Sequence, residues 1–184
     1  MGWLCYDIYT SPKKECDRLL NYEDENIIQE TLGSCMKGNV YYAAVSRTNK
    51  TTNTNIVFAA VFRTFYSPRA KKEPNFGYKD MDETMHPYYY DFPEKYFKLL
   101  NPTDNNYAIE WRQRVYKNIE AKKNLAKIKY GDKIQFKSPI ETTSGVKIGD
   151  TIIIEKKRGY FLRNGYWKWP KKWIPAEFEI IKNK

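Results

Sequence analysis

The sequence contains no long hydrophobic run; the longest, such as Ile56 to Phe62, fall far short of the roughly 20 residues a membrane span requires. It has a single histidine, His86, and three cysteines, Cys5, Cys16 and Cys35, with no CxxC spacing. That leaves a zinc site short of ligands and a disulfide framework with an odd thiol, so buried thiols are the expectation. The opening MGWLCYDIY lacks the cationic start and apolar stretch of a secretory signal, and Tyr6 stands where a myristoylation signal places serine or threonine. A cytoplasmic protein with no membrane attachment is expected.

Aromatic residues are plentiful, at 16% of 184, enough bulky apolar groups to offset chain entropy with a real core. The charge is unevenly placed. In residues 124–184 Lys and Arg outnumber Asp and Glu 14 to 6, so this last third carries +8 of the net +10. A polyanion is the first partner such a segment suggests.

The local patterns predict an α+β protein: an N-terminal antiparallel sheet with covering helices over residues 1–123, then a small SH3-like β-barrel over 124–184. GWLCYDIYT reads as a strand, and Ser11-Pro12 as an N-cap followed by proline at the first helical position. TLGSCM and VYYAAVSR form a hairpin around Lys37-Gly38-Asn39. The segment from Ile56 to Tyr66 is apolar on both alternating faces, as in a central strand covered on each side. Pro93 to Leu100 is a short helix, and a second runs to about Lys123 with Tyr107, Trp111, Val115 and Ile119 as its apolar stripe. Beyond Lys127 five short strands alternate with glycine turns, the pattern of a small barrel.

Two places hold candidate chemistry. The stretch NFGYKDMDETMHPYYYDFP, residues 75–93, gathers Lys79, Asp80, Asp82, Glu83, Asp91, His86 and four tyrosines. Asp80 and Asp82 can ligate Mg²⁺ or Mn²⁺, with Glu83 as a further acid and Lys79 to offset charge on a phosphodiester. Geometry limits that set. In an extended chain Tyr78, Asp80 and Asp82 share one face while Lys79, Met81 and Glu83 take the other; in a helix Asp80 and Glu83 are neighbours and Asp82 points away. A further ligand would come from elsewhere, with Asp91 and Asp7 the candidates. The alternative is a satisfied structural network of carboxylates, lysines and tyrosine hydroxyls. His86 precedes Pro87, which biases it to an extended backbone.

The second place is the hairpin around Asn164-Gly165. A two-residue turn there pairs Arg163 with Tyr166, Leu162 with Trp167 and Phe161 with Lys168. One face then displays Phe161, Arg163, Tyr166 and Lys168, with Lys171 and Lys172 just beyond. Flat side chains among cations hold single-stranded nucleic acid, through stacking on bases and attraction to phosphates. The opposing reading is a solvated hairpin on a basic protein.

The opening MGW, the run NFGYKDMDETM, Pro87 to Asp91, and Leu99 to Thr103 ahead of Trp111-Arg112 resemble a family of uncharacterised proteins carried by phages, plasmids and conjugative elements. His86 stands where that family leads one to expect glycine. More distantly, the chain is similar to type II-A anti-CRISPR proteins, one group of which trims the Cas9 guide RNA. The resemblance implies a counter-defence protein that engages Cas9 or its guide RNA, with metal-dependent RNA cleavage by the acidic segment as the enzymatic version. A non-enzymatic module that occludes a host nucleic acid or protein is the alternative.

Overall fold

The computed structural model describes residues 4–7, 11–66, 75–129, 131–137, 149, 151–156, 160–164, 167–170 and 178–181. The chain divides into two compact units, Met1–Val115 and Tyr116–Lys184, with the division inside one long helix.

In the first unit Ser11 caps helix α1 (Pro12–Leu20), with Pro12 in its first turn, as the dipeptide predicted. Five further segments join β1 (Leu4–Asp7) in an antiparallel sheet: β2 (Tyr22–Glu23), β3 (Ile27–Lys37), β4 (Val40–Asn49), β5 (Thr54–Tyr66) and β6 (Asn75–Asp82). Their spatial order is β1-β6-β5-β4-β3-β2, so the apolar β5 and β4 lie inside the sheet. Both faces are covered. On one, Cys16 and Leu20 of α1 pack with Tyr41, Val45, Phe62 and Tyr78. On the other, Phe92 meets the Tyr42 ring edge-on at 5.9 Å and the Trp111 ring at 5.4 Å.

The β3–β4 ladder slips one residue between Thr31 and Gly33, a bulge that leaves Leu32 unpaired. Gly33 then passes beneath the Tyr96 ring, where a Cβ would lie 2.5 Å from Cε1. Tyr96 in turn donates its hydroxyl to the Ser34 carbonyl at 2.7 Å. The close approach is what the glycine supplies.

Helix α2 (Glu94–Phe97) is a single turn, and α3 (Asn106–Lys127) is capped by the Asn105 side chain, which accepts from the Ala108 amide. The α3 stripe differs from the expected one at its start. Trp111, Val115 and Ile119 are buried, but Tyr107 is 58% exposed and Ala108 takes its place in the core. Four-residue spacing drifts around a 3.6-residue helix, so a strict run of fours leaves the buried stripe within a few turns.

The second unit holds β7 (Lys133–Phe136), β8 (Thr151–Lys156), β9 (Tyr160–Asn164), β10 (Trp167–Pro170) and β11 (Phe178–Ile181). They form a curled five-stranded antiparallel sheet, a half-barrel of order β10-β9-β8-β7-β11. Gly131 and Gly149 precede β7 and β8 with φ of +83° and +91°, angles that other residues adopt only with strain. No helix among the described residues is long and apolar enough to cross a membrane.

Candidate functional site

β6 is a regular strand, paired without interruption from Tyr66↔Phe76 to Ala60↔Asp82. Alternation therefore places Tyr78, Asp80 and Asp82 on one face and Lys79 and Met81 on the other. Asp7 pairs with Asn75 at the far end of this strand, about 17 Å along the chain direction from Asp80, which removes it as a companion ligand. Asp91 is engaged by Lys37, whose ammonium reaches the Asp91 carbonyl at 2.7 Å and its carboxylate at 3.2 Å. Among the described residues no three His, Cys, Asp or Glu side chains converge in a way that would hold a metal ion.

Asp82 ends the strand by capping a 3₁₀ turn, Glu83–Met85; its Oδ1 accepts from the Thr84 amide at 2.7 Å and from the Thr84 hydroxyl. Glu83 is 2% exposed, and both of its oxygens accept from Arg112 of α3, from Nε at 2.7 Å and Nη2 at 2.6 Å. Burying a carboxylate this deeply is costly unless a cation pairs with it, and the Arg112 guanidinium is that partner. The third Arg112 nitrogen, Nη1, donates to the Asn101 carbonyl.

Asn101 has its own task. β6 leaves the sheet after Asp82, which would orphan the edge of β5 at Val57. The Asn101 amide donates to the Val57 carbonyl at 2.9 Å, and its side-chain oxygen accepts from the Val57 amide. Asn101 thus substitutes for one residue of missing strand.

Next to this repair lies a cavity of about 160 Å³, lined among others by Arg47, Phe58, Asp82, Thr84, Pro102 and Arg112. Three stretches far apart in sequence, Asp82-Glu83-Thr84, Asn101-Pro102-Thr103 and Arg112, meet around it. Arg47 enters from β4, its guanidinium 4.7 Å from the Phe58 ring centroid and its Nε donating to Gln29 Oε1 at 2.8 Å. Arg47 is not among the candidates that the sequence pattern singles out. The signal was present: the alternation Tyr41, Ala43, Val45 puts residue 47 on the same covered face, where a cation needs a reason.

His86 is not extended. It adopts left-handed backbone angles, φ 55° and ψ 58°, which overrides the bias imposed by Pro87 and explains why glycine suits the position. Its Nε2 lies 3.0 Å from Glu110 Oε2. Glu110 also accepts from Arg114, and these two neighbours, Arg114 first, hold its carboxyl below the usual range. Arg114 reaches on to the Tyr90 hydroxyl at 2.9 Å. Much of the polar segment is therefore bound to α3.

The hairpin of the second unit pairs differently from expectation. Asn164 faces Trp167, Arg163 faces Lys168, Leu162 faces Trp169 and Phe161 faces Pro170. The bend is displaced by one residue, so Arg163 is opposite Lys168 rather than Tyr166. The shift in pairing is two residues, however, and an even shift keeps every residue on its face. Positions 161, 163 and 168 remain together. Tyr166, Lys171 and Lys172 lie outside the described residues.

The ladders extend this set across the sheet. Lys133 pairs with Ile153, Ile153 with Arg163 and Arg163 with Lys168, giving one row over four strands with three cationic positions. Within that row Ile153 is 55% exposed, while Ile134 and Phe136, at alternate positions of β7, are fully buried. Neighbouring strands lie about 4.8 Å apart, so the cationic positions fall within a span of roughly 15 Å.

The folds and sites define an α+β protein with a polar cavity in one unit and a row of cationic positions across the sheet of the other. A family model described as "Domain of unknown function (DUF6927)" matches residues 102–168, less than half of the chain. That span includes Arg112, Lys133, Arg163 and Lys168 and leaves out Arg47 and Asp82. No curated protein and no solved structure matches the chain.

Proposed function

We propose that this chain is a counter-defence protein of a mobile element that binds single-stranded RNA, the Cas9 guide RNA being its target. The observation that carries the binding is the strand pairing that sets Lys133, Ile153, Arg163 and Lys168 in one row across the half-barrel, with position 161 two residues along β9 from position 163. Cationic positions spaced across a sheet follow a phosphate backbone, and an aromatic position beside them stacks a base. The choice of target rests on the resemblance to type II-A anti-CRISPR proteins read from the sequence. In this reading the half-barrel is an SH3-like module, and the protein acts in the cytoplasm of the host cell.

The test is retention of guide RNA by the purified chain, measured by fluorescence anisotropy, alone and with Cas9 present. Submicromolar binding that weakens steeply with salt is expected. Retention of guide RNA only when Cas9 is present would mean that a protein surface, not RNA, is the partner.

Cleavage is a second reading, favoured by Asp80 and Asp82 sharing a face of β6. These two would hold Mg²⁺ or Mn²⁺, whose chemistry when bound is to polarise a phosphodiester. Glu83 serves Arg112 instead, and Lys79 occupies the opposite strand face. Guide RNA incubated with the chain, with and without EDTA, and sized on a gel reads this directly. Uncut RNA in both lanes removes the enzymatic version and leaves binding standing.

A further inference from the structure

We infer that the cavity between Arg47 and Asp82 receives a single unstacked RNA base, guanine or cytosine. The inference rests on the RNA reading above and concerns a separate place on the chain.

Size is the first argument. At about 160 Å³ the cavity holds about five waters by volume and falls below the roughly 300–1,000 Å³ of sites for drug-sized ligands and cofactors. One planar ring system suits it.

Charge is the second. Arg112 is neutralised by Glu83 within the wall, which leaves Arg47 and Asp82 as the groups with capacity to spare. Arg47 commits its Nε to Gln29, and among the described residues its two terminal nitrogens have no hydrogen-bond acceptor. Asp82 commits Oδ1 to Thr84, and among the described residues nothing donates to Oδ2. One cation and one anion cancel, so the site favours neither a free anion nor a metal ion. It favours a neutral ligand with donors and acceptors on one edge.

Edge chemistry then selects the base. A guanidinium fork takes two adjacent acceptors, and the carboxylate oxygen takes a donor beside them. Guanine offers N7, O6 and N1–H in that order; cytosine offers O2, N3 and N4–H. Adenine has no two adjacent acceptors, and uracil alternates acceptor, donor, acceptor. The walls fit a ring: Ile56, 51% exposed, and Pro102 are apolar. The Arg47 guanidinium is seated on Phe58, so its fork is held before a ligand arrives, which lowers the cost of binding.

The experiment is a titration of the full chain with cytidine, guanosine, uridine and adenosine, followed by the backbone amide NMR signals of Val57, Thr84 and Thr103. Cytidine and guanosine are expected to shift these signals; uridine and adenosine are not. Asp82→Asn keeps the acceptor that Thr84 uses and turns Oδ2 into a donor, so it should abolish the cytidine response. Arg47→Lys keeps the charge and loses the fork, and should do the same. Equal responses to all four nucleosides, no response to any, or an unchanged pattern in both variants would overturn the inference. Failure of the unaltered chain to bind oligouridine, with the cytidine response intact, would instead overturn the cationic-row reading and leave the cavity's role in place.

Discussion

Asp17 ties helix α1 to the sheet through three donors. Its Oδ2 pairs with Lys13 at 2.6 Å, and its Oδ1 accepts from the Ser34 and Tyr41 hydroxyls, each at 2.6 Å. Burial alone would raise its carboxyl; the hydrogen bonds from Lys13, Ser34 and Tyr41 outweigh that and hold it below the ordinary 3.8. A lowered native value means that the native state prefers the ion. The stabilisation is therefore present above about pH 4 and disappears as pH falls through the native value. Asp17→Asn should cost about 1–3 kcal/mol near neutrality. Urea melts of both proteins from pH 7 to pH 3 should converge as the acid limb is approached; parallel curves would assign the acid response to other groups. His86 makes the opposite case. A non-glycine residue at φ 55° carries about 1–2 kcal/mol of strain, against an exposed hydrogen bond to Glu110. His86→Gly should leave the melting temperature unchanged or raise it, whereas His86→Val should lower it. A His86→Gly variant that melts well below the parent would mean that the Glu110 contact outweighs the backbone strain.

Among the elements, the join between the 3₁₀ turn and α3 is where stability and site geometry meet. Arg112 and Glu83 form a buried pair, with side chains 16% and 3% exposed, and removing one partner strands the other's charge. Glu83→Gln and Arg112→Met should each cost about 3–5 kcal/mol, with the double variant recovering part of the loss. Chemical denaturation of the four-protein cycle measures it, and additive costs would mean that the two side chains act independently. The elements themselves were largely legible. Ser11-Pro12 marked α1, the apolar run marked β5, and Gly131 and Gly149 marked the turns before β7 and β8, because each signal is local and sterically forced. Pairing across the β9–β10 bend was not legible. The two registers differ by two residues and put the same residues on each face, so the hydrophobic pattern cannot tell them apart. The cavity was not legible for a different reason: Arg47, Asp82, Asn101 and Arg112 are brought together only by tertiary structure, and Asn101 acquires its role only because β6 ends where it does. The acids in 75–93 drew attention in sequence, yet two of the four, Glu83 and Asp91, turn out to serve Arg112 and Lys37.

For the molecule as a whole, most of the net charge lies in residues 124–184, and the sheet of that unit sorts part of it onto one row. Composition announced the charge; only the ladders show that Lys133, Arg163 and Lys168 share a line across four strands. If that line follows an RNA backbone, each cation displaces one condensed counterion, contributing about −0.7 to the slope of log K against log salt for a single strand. Replacing all three by alanine should therefore flatten the slope by about 2. Positions on the face that carries exposed Ile153 should cost little stability, within about 0.5 kcal/mol each, so the melting temperature serves as the control. The measurement is anisotropy with labelled oligouridine over a range of salt concentrations. A triple variant with a reduced slope and a native melt assigns the phosphate contacts to this row. An unchanged slope with the same native melt places them elsewhere among the many lysines, because counterion release counts contacts wherever they are and is blind to the rest of the fold.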